Sequence, residues 1–129
     1  MDYQYLKCIT PIDGRYSSKT ESLSDYFSEL SFNKYRILIE IEYLISLGKL
    51  EIYDDLDDKM IEFLRDVYKN FNLDECIKLK KIEEKINHDV KAVEYYIRDK
   101  INEKEKSLEM INYIHFGLTS QDINLSLIH

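Results

Sequence analysis

The sequence FNKYRILIEIEYLISL, residues 32–47, is strongly apolar, and its hydrophobic side chains recur at helical spacing. So wide an apolar stripe predicts a helix that is buried on more than one side. Gly48 follows the stretch and suits a helix C-cap, because glycine takes the left-handed conformation without a Cβ penalty. The apolar positions are Phe32, Tyr35, Leu38, Ile39, Ile41, Leu44, Ile45 and Leu47.

Helical patterns also lie on both sides of this segment, whereas residues 1–16 are irregular. Ser18 and Glu21 match a capping box, which predicts a helix from about residue 18. Its apolar face would consist of Leu23, Tyr26, Phe27 and Leu30. Asn72 with Glu75 repeats the capping pattern. Further helices are predicted after residues 54–58, after Asn72, from Asp89 to Ile101, from Leu108 to Phe116 and from about Thr119.

The composition agrees with an all-α fold. Of the 129 residues, 44% are apolar and 12% aromatic, which suffices for a hydrophobic core and excludes a disordered segment. There are three Gly and one Pro, whereas an all-β protein needs many tight turns. We find no convincing strand pattern or internal repeat, so the sequence predicts an all-α protein.

The charge balance and the cysteines exclude several classes of partner. A net charge of −7 argues against a nucleic-acid or anionic-membrane surface, although it leaves room for a small basic pocket. No apolar run is long enough to span a bilayer, and the first residues lack the pattern of a signal peptide. Cys8 and Cys76 stand alone, which predicts reduced thiols in a cytoplasmic protein and no metal site.

An acidic run precedes the helix that is predicted after residue 58. A carboxylate cluster invites a calcium interpretation, but the loop lacks the glycine and the terminal glutamate of an EF-hand. We therefore expect these carboxylates to favour the helix N-terminus electrostatically. The run consists of Asp54, Asp55, Asp57 and Asp58.

The only Pro, two of the three Gly and two of the three His fall in three short segments, each at the entry to a predicted helix. The first is PIDGRY, residues 11–16, where Asp13-Gly14 suits a tight turn that would project Arg15 and Tyr16. A guanidinium beside a phenol is suited to binding phosphate or carboxylate. The alternative is a turn whose arginine pairs with a surface acid.

The second segment, NHDVKAVE, places three polar residues immediately before an amphipathic helix. Asn87, His88 and Asp89 are consistent with a helix cap and an incidental histidine. They are equally consistent with a site in which Asp89 orients His88 or tunes its proton affinity. No second histidine lies within a helical turn, so no metal motif forms.

The third segment, HFGLTSQD, is the most informative. Thr119 and Asp122 match a capping box, so Thr119 and Ser120 should meet the backbone N–H groups and the dipole of a helix start. Gly117 would let a ligand approach the backbone closely, and His115 is nearby. The alternative is a capped helix with a glycine hinge. Together the three segments predict a substrate with several negative groups.

In this order, the three segments resemble the N-terminal part of the adenylosuccinate lyase family of the fumarase/aspartase superfamily. The resemblance covers essentially the whole chain. It implies the helical N-terminal domain of the L-aspartase/fumarase-like fold over residues 1–118 and the start of the central helix bundle over residues 119–129. It also implies a homotetramer in the full-length enzyme, with no cofactor.

The resemblance implies a β-elimination in purine and AMP biosynthesis. Adenylosuccinate gives AMP and fumarate, and SAICAR gives AICAR and fumarate. By the same resemblance, Arg15 and Tyr16 bind the nucleotide, with its phosphate on Arg15. Asn87, His88 and Asp89 form a substrate-binding loop, in which His88 assists proton transfer. Ligands for the succinyl carboxylates are Thr119 and Ser120, with His115 and Gln121 as secondary candidates.

The chain also departs from the family pattern. Ile86 stands where a threonine is expected before the Asn-His-Asp run. The segments that bear the general-acid histidine and the general-base serine are missing, so we expect an N-terminal fragment that is inactive alone. Two alternatives stay open, another lyase of the superfamily and a non-catalytic all-α interaction module.

Overall fold

A computed structural model describes residues 3–129, and within this range the chain is helical without a strand, which confirms the predicted all-α class. Seven α-helices follow one another: α1 Ser17–Thr20, α2 Ser24–Phe27, α3 Glu29–Lys49, α4 Asp58–Lys69, α5 Leu73–Ile86, α6 Asp89–Lys104 and α7 Ser120–Ile128. Three 3₁₀ helices accompany them, at Gln4–Lys7, Glu21–Leu23 and Glu109–Tyr113.

The chain divides into two compact units, the first ending at Phe32 and the second running from Asn33 to His129. In the first unit, the prediction of one helix from about residue 18 is wrong, because the segment breaks into α1, a 3₁₀ turn and α2. The predicted Ser18 cap is also wrong, since Ser18 lies inside α1 and the N-cap residue Tyr16 makes no side-chain cap. Many apolar side chains of this unit are exposed: Tyr3, Tyr5, Leu6, Ile9, Ile12, Tyr16, Leu23, Tyr26 and Phe27.

The second unit holds the hydrophobic core. In α3 the fully buried side chains include Ile41 and Leu44 from the predicted set, together with Ile37, which the sequence analysis did not single out. The facing helices contribute Leu64, Leu79, Val93, Ile97 and Ile101. Each side chain of this size stabilises the fold by about 1.5–3 kcal/mol when it is removed from water.

Gly48 has a different role from the C-cap that its position suggests. It lies inside α3, which continues to Lys49, and the left-handed residue after the helix is Glu51, with a φ of 59°. A Cβ on Gly48 would lie 2.5 Å from Leu56 Cδ2 and 2.7 Å from the Tyr53 hydroxyl oxygen. Glycine is therefore needed because the loop after α3 packs directly on the helix backbone. Tyr53 closes this contact by donating to the Leu44 carbonyl at 2.7 Å.

Polar side chains begin the helices of the second unit. Asp57 caps α4 by accepting from Met60 N–H at 2.7 Å, a more specific role than the electrostatic one expected of the acidic run. Asp55 accepts from Met110 N–H at 2.7 Å and so ties this loop to the 3₁₀ helix at Glu109–Tyr113. Asn72 caps α5 by accepting from Glu75 N–H at 3.0 Å, which confirms the predicted cap.

Three further outcomes concern segment ends, membranes and thiols. Helix α6 continues to Lys104, three residues beyond the predicted end, and the segment predicted as a short helix from residue 108 is a 3₁₀ helix. Among residues 3–129, no helix is both long and apolar enough to cross a membrane.

Cys8 is exposed, whereas Cys76 is buried and its sulfur accepts from Asn33 Nδ2 at 3.8 Å. The division at residues 118 and 119 stays a prediction.

Candidate functional site

The first predicted segment forms a compact turn. Gly14 N–H donates to the Thr10 carbonyl at 3.2 Å, and Tyr16 N–H donates to the Pro11 carbonyl at 2.9 Å. A Cβ on Gly14 would lie 2.7 Å from the Tyr5 carbonyl oxygen, so only glycine fits. The turn leaves Arg15 and its neighbour exposed side by side.

Arg15 and Tyr16 form one polar unit at the exit of this turn. Arg15 Nη2 donates to the Tyr16 hydroxyl at 2.8 Å, and the guanidinium carbon lies 4.6 Å from the tyrosine ring centroid. Among the described residues, the side-chain partner of Arg15 is the Tyr16 hydroxyl and no carboxylate pairs with it. The remaining guanidinium N–H groups are available to an anion.

The second predicted segment separates α5 from α6. Asn87 has a φ of 53° and ends α5, with its N–H donating to the Glu83 carbonyl at 2.7 Å. His88 is the N-cap of α6, because its Nδ1 accepts from Lys91 N–H at 3.0 Å. The neutral ring therefore carries its proton on Nε2, which lies on the side of the ring away from the cap.

Asp89 is engaged mainly by groups other than His88. Its Oδ1 accepts from Val90 N–H at 2.8 Å and lies 4.0 Å from His88 Nδ1. Its Oδ2 lies 3.2 Å from Nη2 of Arg36. An open cleft of about 510 Å³ lies beside this segment and has a mixed charge. Its lining consists of Lys80, Glu83, Glu84, Asn87, His88 and Asp89.

Arg36 connects the second predicted segment to α7, the helix that begins in the third, and the sequence analysis missed it. From α3, the Arg36 side chain reaches the start of α6 through Asp89 and reaches α7 by donating from Nε to Asn124 Oδ1 at 3.2 Å. It is only 15% exposed. The one signal that could have revealed it is a fixed positive charge within the apolar stretch of residues 32–47, since such a charge needs partners when buried.

The third predicted segment begins α7 with the predicted capping box. Thr119 N–H donates to Asp122 Oδ2 at 2.8 Å, and Asp122 N–H donates back to Thr119 Oγ1 at 3.4 Å. The Thr119 backbone N–H and then its hydroxyl hold the pKa of Asp122 below its usual value. Ser120, the first residue of α7, has no hydrogen-bond partner for its hydroxyl within residues 3–129, and Gln121 is exposed.

The loop before α7 is shaped by two residues with positive φ. Gly117 has a φ of 72°, and the nearest atom to a Cβ there would be the Tyr43 hydroxyl oxygen, at 3.9 Å. His115 has a φ of 62°, and its Nδ1 lies 2.5 Å from Oε1 of Glu40. Glu40 is completely buried, and burial raises its pKa even though the His115 hydrogen bond lowers it. The sequence analysis missed Glu40 as well.

Helix α3 therefore contacts the second segment and α7 through Arg36, and the third segment through Glu40. The first segment belongs to the other compact unit. Within the described range, no group of three or more His, Cys, Asp or Glu side chains could hold a metal ion. The chemistry available is hydrogen bonding to anions and, at the histidines, proton exchange.

These features define an all-helical protein within residues 3–129. The chain belongs to the lyase family, whose model matches residues 14–129. The relatives narrow the class further. The chain is 47% identical over 122 residues to the adenylosuccinate lyase of Legionella pneumophila (strain Corby). It is 47% identical over 124 residues to the enzyme of that name from Dictyostelium discoideum. It is 40% identical over 129 residues to that of Buchnera aphidicola subsp. Schizaphis graminum.

The matches cover nearly all of this chain and a small part of each relative. The Legionella and Dictyostelium alignments include 92% of the chain, and the Buchnera alignment includes 96%. The chain spans about 27–28% of the length of these relatives. The family resemblance that the three segments predicted is confirmed.

Proposed function

We propose that the chain is the N-terminal part of an adenylosuccinate lyase. The whole enzyme would release fumarate by β-elimination from adenylosuccinate, giving AMP, and from SAICAR, giving AICAR, in purine biosynthesis. The observation that carries the proposal is 47% identity over 92% of the chain to proteins of that name. The substrates carry a phosphate and two carboxylates, which suits the three anion-binding segments.

The turn at residues 10–16 would bind the nucleotide phosphate. Arg15 offers a planar set of N–H donors, of which one already contacts the Tyr16 hydroxyl. This contact holds the guanidinium beside the phenol, so Tyr16 would both orient Arg15 and contribute its own hydroxyl. Both side chains are exposed, so a ligand in solution could reach them.

The segment at residues 87–89 would form the wall of the substrate pocket. Since His88 Nδ1 accepts a backbone hydrogen, its Nε2 is the nitrogen that could donate to substrate or assist proton transfer. Asn87 is exposed and would add an amide. Asp89 would act mainly by holding Arg36, the residue that connects this segment to α7.

The start of α7 would bind the carboxylates of the succinyl group. Ser120 supports this role best, because its hydroxyl has no partner within residues 3–129 and lies at the positive end of the helix dipole. The Thr119 hydroxyl is already hydrogen-bonded to Asp122. Thr119 would therefore contribute chiefly by fixing the geometry of the cap. His115 and the exposed Gln121 would complete this end of the site.

The remaining features of the enzyme are also part of the proposal. The general acid and general base would lie outside residues 1–129, and the full-length protein would be a cytoplasmic homotetramer. Residues 119–129 would begin its central helix bundle, whereas residues 1–118 would form the N-terminal domain.

The direct test is fumarate release from adenylosuccinate by the full-length enzyme. Arg15→Ala should raise KM about 10- to 100-fold through the lost charge-assisted hydrogen bonds, and Ser120→Ala about tenfold. Lys19→Ala, on neighbouring α1, and Ser126→Ala, at the far end of α7, are the matched controls and should leave the kinetics unchanged.

Each alternative predicts a different result. Another superfamily lyase would release fumarate from a different amino-linked succinate and not from adenylosuccinate. An interaction module would release none from any. Unchanged kinetics of the Arg15 and Ser120 variants would contradict the site assignment, and turnover by the 129-residue chain alone would contradict the location of the acid and base.

A further inference from the structure

The contact between Glu40 and His115 joins the hydrophobic core to the loop before α7. Glu40 lies in the middle of α3 and is 0% exposed, whereas the His115 side chain retains 19% exposure. The 2.5 Å contact joins Glu40 Oε1 to His115 Nδ1. The second carboxylate oxygen of Glu40 is buried without a hydrogen-bond partner in the described chain. Such an arrangement is costly, so it calls for an explanation beyond packing.

A purely structural ion pair on the same helix looks different. Glu42 accepts from Arg65 Nε at 2.9 Å and from Arg65 Nη2 at 3.1 Å, and it also accepts from the Tyr68 hydroxyl at 2.7 Å. Both of its oxygens are therefore satisfied. Glu40 instead commits one oxygen to an imidazole and leaves the other without a partner. The two carboxylates, two residues apart, are an internal comparison.

The geometry determines which nitrogen of His115 faces a ligand. Nδ1 is directed at Glu40, so Nε2 lies on the opposite side of the ring, and no residue of 3–129 hydrogen-bonds to it. The loop on either side is fixed, because Leu118 N–H donates to the His115 carbonyl at 3.2 Å and Tyr43 donates to the Phe116 carbonyl at 2.7 Å.

His115 belongs to the loop that leads into α7. The pKa of Asp122 is lowered chiefly by the backbone and side chain of Thr119, and a positive charge on His115 adds to this effect. His115 and the capping box belong to one short loop, at a helix start where the dipole favours an anion. A protonated Nε2 there would add a directed donor to the backbone N–H groups and Ser120.

We propose that Glu40 is a positioning residue that holds the proton of His115 on Nδ1 and presents Nε2 to an anionic group bound at the start of α7. The identity of that group, a carboxylate of the substrate, rests on the proposed function. The pairing itself does not. A buried carboxylate bonded to one ring nitrogen fixes both the tautomer and the ring orientation, and it stabilises the charged form when Nε2 binds an anion.

The first experiment reads the tautomer directly and needs no substrate. With ¹⁵N-labelled histidine, long-range ¹H–¹⁵N spectra of the chain distinguish the two ring nitrogens of each of its three histidines. We expect the neutral form of His115 to carry its proton on Nδ1 and that of His88 to carry it on Nε2. A neutral His115 protonated on Nε2 in the wild-type protein would overturn the proposal, whatever the variants do.

The variants separate positioning from packing. Glu40→Met keeps nearly the length of the side chain but has no oxygen to accept from Nδ1–H, so the neutral His115 ring should shift toward the Nε2–H tautomer. Glu42→Met, the matched control, should leave the His115 signals unchanged while removing the Arg65 contact. Unchanged His115 signals in a folded Glu40→Met protein would contradict the proposal. If Glu40→Met does not fold, the wild-type spectrum alone still decides the outcome.

Kinetics of the full-length enzyme give the second test. Glu40→Gln should lower kcat/KM at least about tenfold, as expected when a charge-assisted hydrogen bond is lost. Added to His115→Gln, it should cause little further loss, because the two residues act as one unit. Fully additive losses would contradict the proposal. Wild-type enzyme that releases no fumarate would refute the proposed function instead, and the tautomer would remain the test of Glu40.

Discussion

The two compact units use their apolar residues in different ways. All of the buried apolar side chains among residues 3–129 lie between Ile37 and Ile123, in the second unit. In the first unit, Leu23, Tyr26 and Phe27 have the same helical spacing as core residues but are exposed. The difference lies in helix length, since α1 and α2 have four residues each and α3 has 21. A four-residue helix is too short to present a stripe to a neighbour.

The first unit is ordered largely by hydrogen bonds. Thr20 Oγ1 donates to the Ile12 carbonyl at 3.4 Å, and Ser31 Oγ donates to the Ser24 carbonyl at 2.7 Å. Bonds of this kind contribute about 0.5–1.5 kcal/mol each, less than a buried aliphatic side chain. We therefore expect the free energy of unfolding to depend on the second unit and to be insensitive to the exposed side chains of the first.

The largest expected effect comes from truncating a core side chain of α3. Ile41→Ala should lower the free energy of unfolding by about 2–5 kcal/mol, because it removes 0%-exposed methyl groups and leaves a cavity. Phe27→Ala, a larger truncation at a 69%-exposed position of the first unit, should change it by less than about 0.5 kcal/mol. Urea unfolding followed by circular dichroism measures both. Equal losses would contradict the contrast between the units.

The next effect tests how tightly the loop after α3 packs. Gly48→Ala should destabilise the protein by about 1–3 kcal/mol, because the new Cβ overlaps Leu56, although alanine favours the helix by about 1 kcal/mol. Adding Leu56→Ala removes the overlap with Leu56 Cδ2 and leaves those with Leu56 Cβ at 2.9 Å and the Tyr53 hydroxyl at 2.7 Å. Tm should therefore fall somewhat less than the sum of the two single changes predicts. A rise in Tm for Gly48→Ala alone would contradict the tight packing of the loop on the α3 backbone.

A smaller effect tests the acidic run. Asp57→Ala should cost about 1 kcal/mol, because the Met60 N–H then lacks the acceptor that caps α4. Asp54→Ala, three residues earlier and exposed, is the matched control with the same change in charge. The comparison of the two melting temperatures separates capping from general electrostatics, and equal shifts would favour electrostatics.

The smallest effect is a dependence on pH. Hydrogen bonds from Lys78, Tyr96 and Lys100 lower the pKa of Glu75 to about 2 from an ordinary value of 4.5. Because the folded-state pKa is the lower one, the carboxylate stabilises the fold above pH 4.5, and this contribution is lost as the pH falls from 4.5 toward 2. Its size should be about 1 kcal/mol or less, since solvent screens the partly exposed ion pairs.

Melting temperatures between pH 6 and pH 3 check this expectation. Glu75→Gln should lose less stability on acidification than the wild-type protein. Glu84→Gln, an exposed position on the same helix, should follow the wild-type curve. A Glu75→Gln protein with the wild-type pH dependence would contradict the assigned role of Glu75.

Local sequence patterns predicted most of the second unit. The stripe at residues 32–47 indicated α3, and Asn72 and Thr119 were identified as caps, because a cap depends on groups within one turn of each other. The same reasoning failed at Ser18 and Gly48. There the outcome depends on tertiary packing, such as the approach of Leu56 to the α3 backbone, which local spacing does not encode.

The candidate site divides along the same line. Short motifs pointed to the segments around Arg15, His88 and Ser120, each of which has a local logic of turn or cap. The residues that support them were missed, because Arg36 pairs with Asp89 on α6, and Glu40 contacts His115 from 75 positions away in sequence. A single sequence does not indicate which residues so far apart along the chain contact each other in the fold.

The unequal burial of the two thiols offers a selective chemical handle. Cys8 is exposed, and its Cβ would lie 3.4 Å from a Cβ placed on Gly14, whereas Cys76 is enclosed in the second unit. A maleimide dye added to the native protein should thus attach at Cys8 alone, beside the turn that bears Arg15. Its fluorescence would report on anion binding at that turn in the natural sequence, without any engineered cysteine.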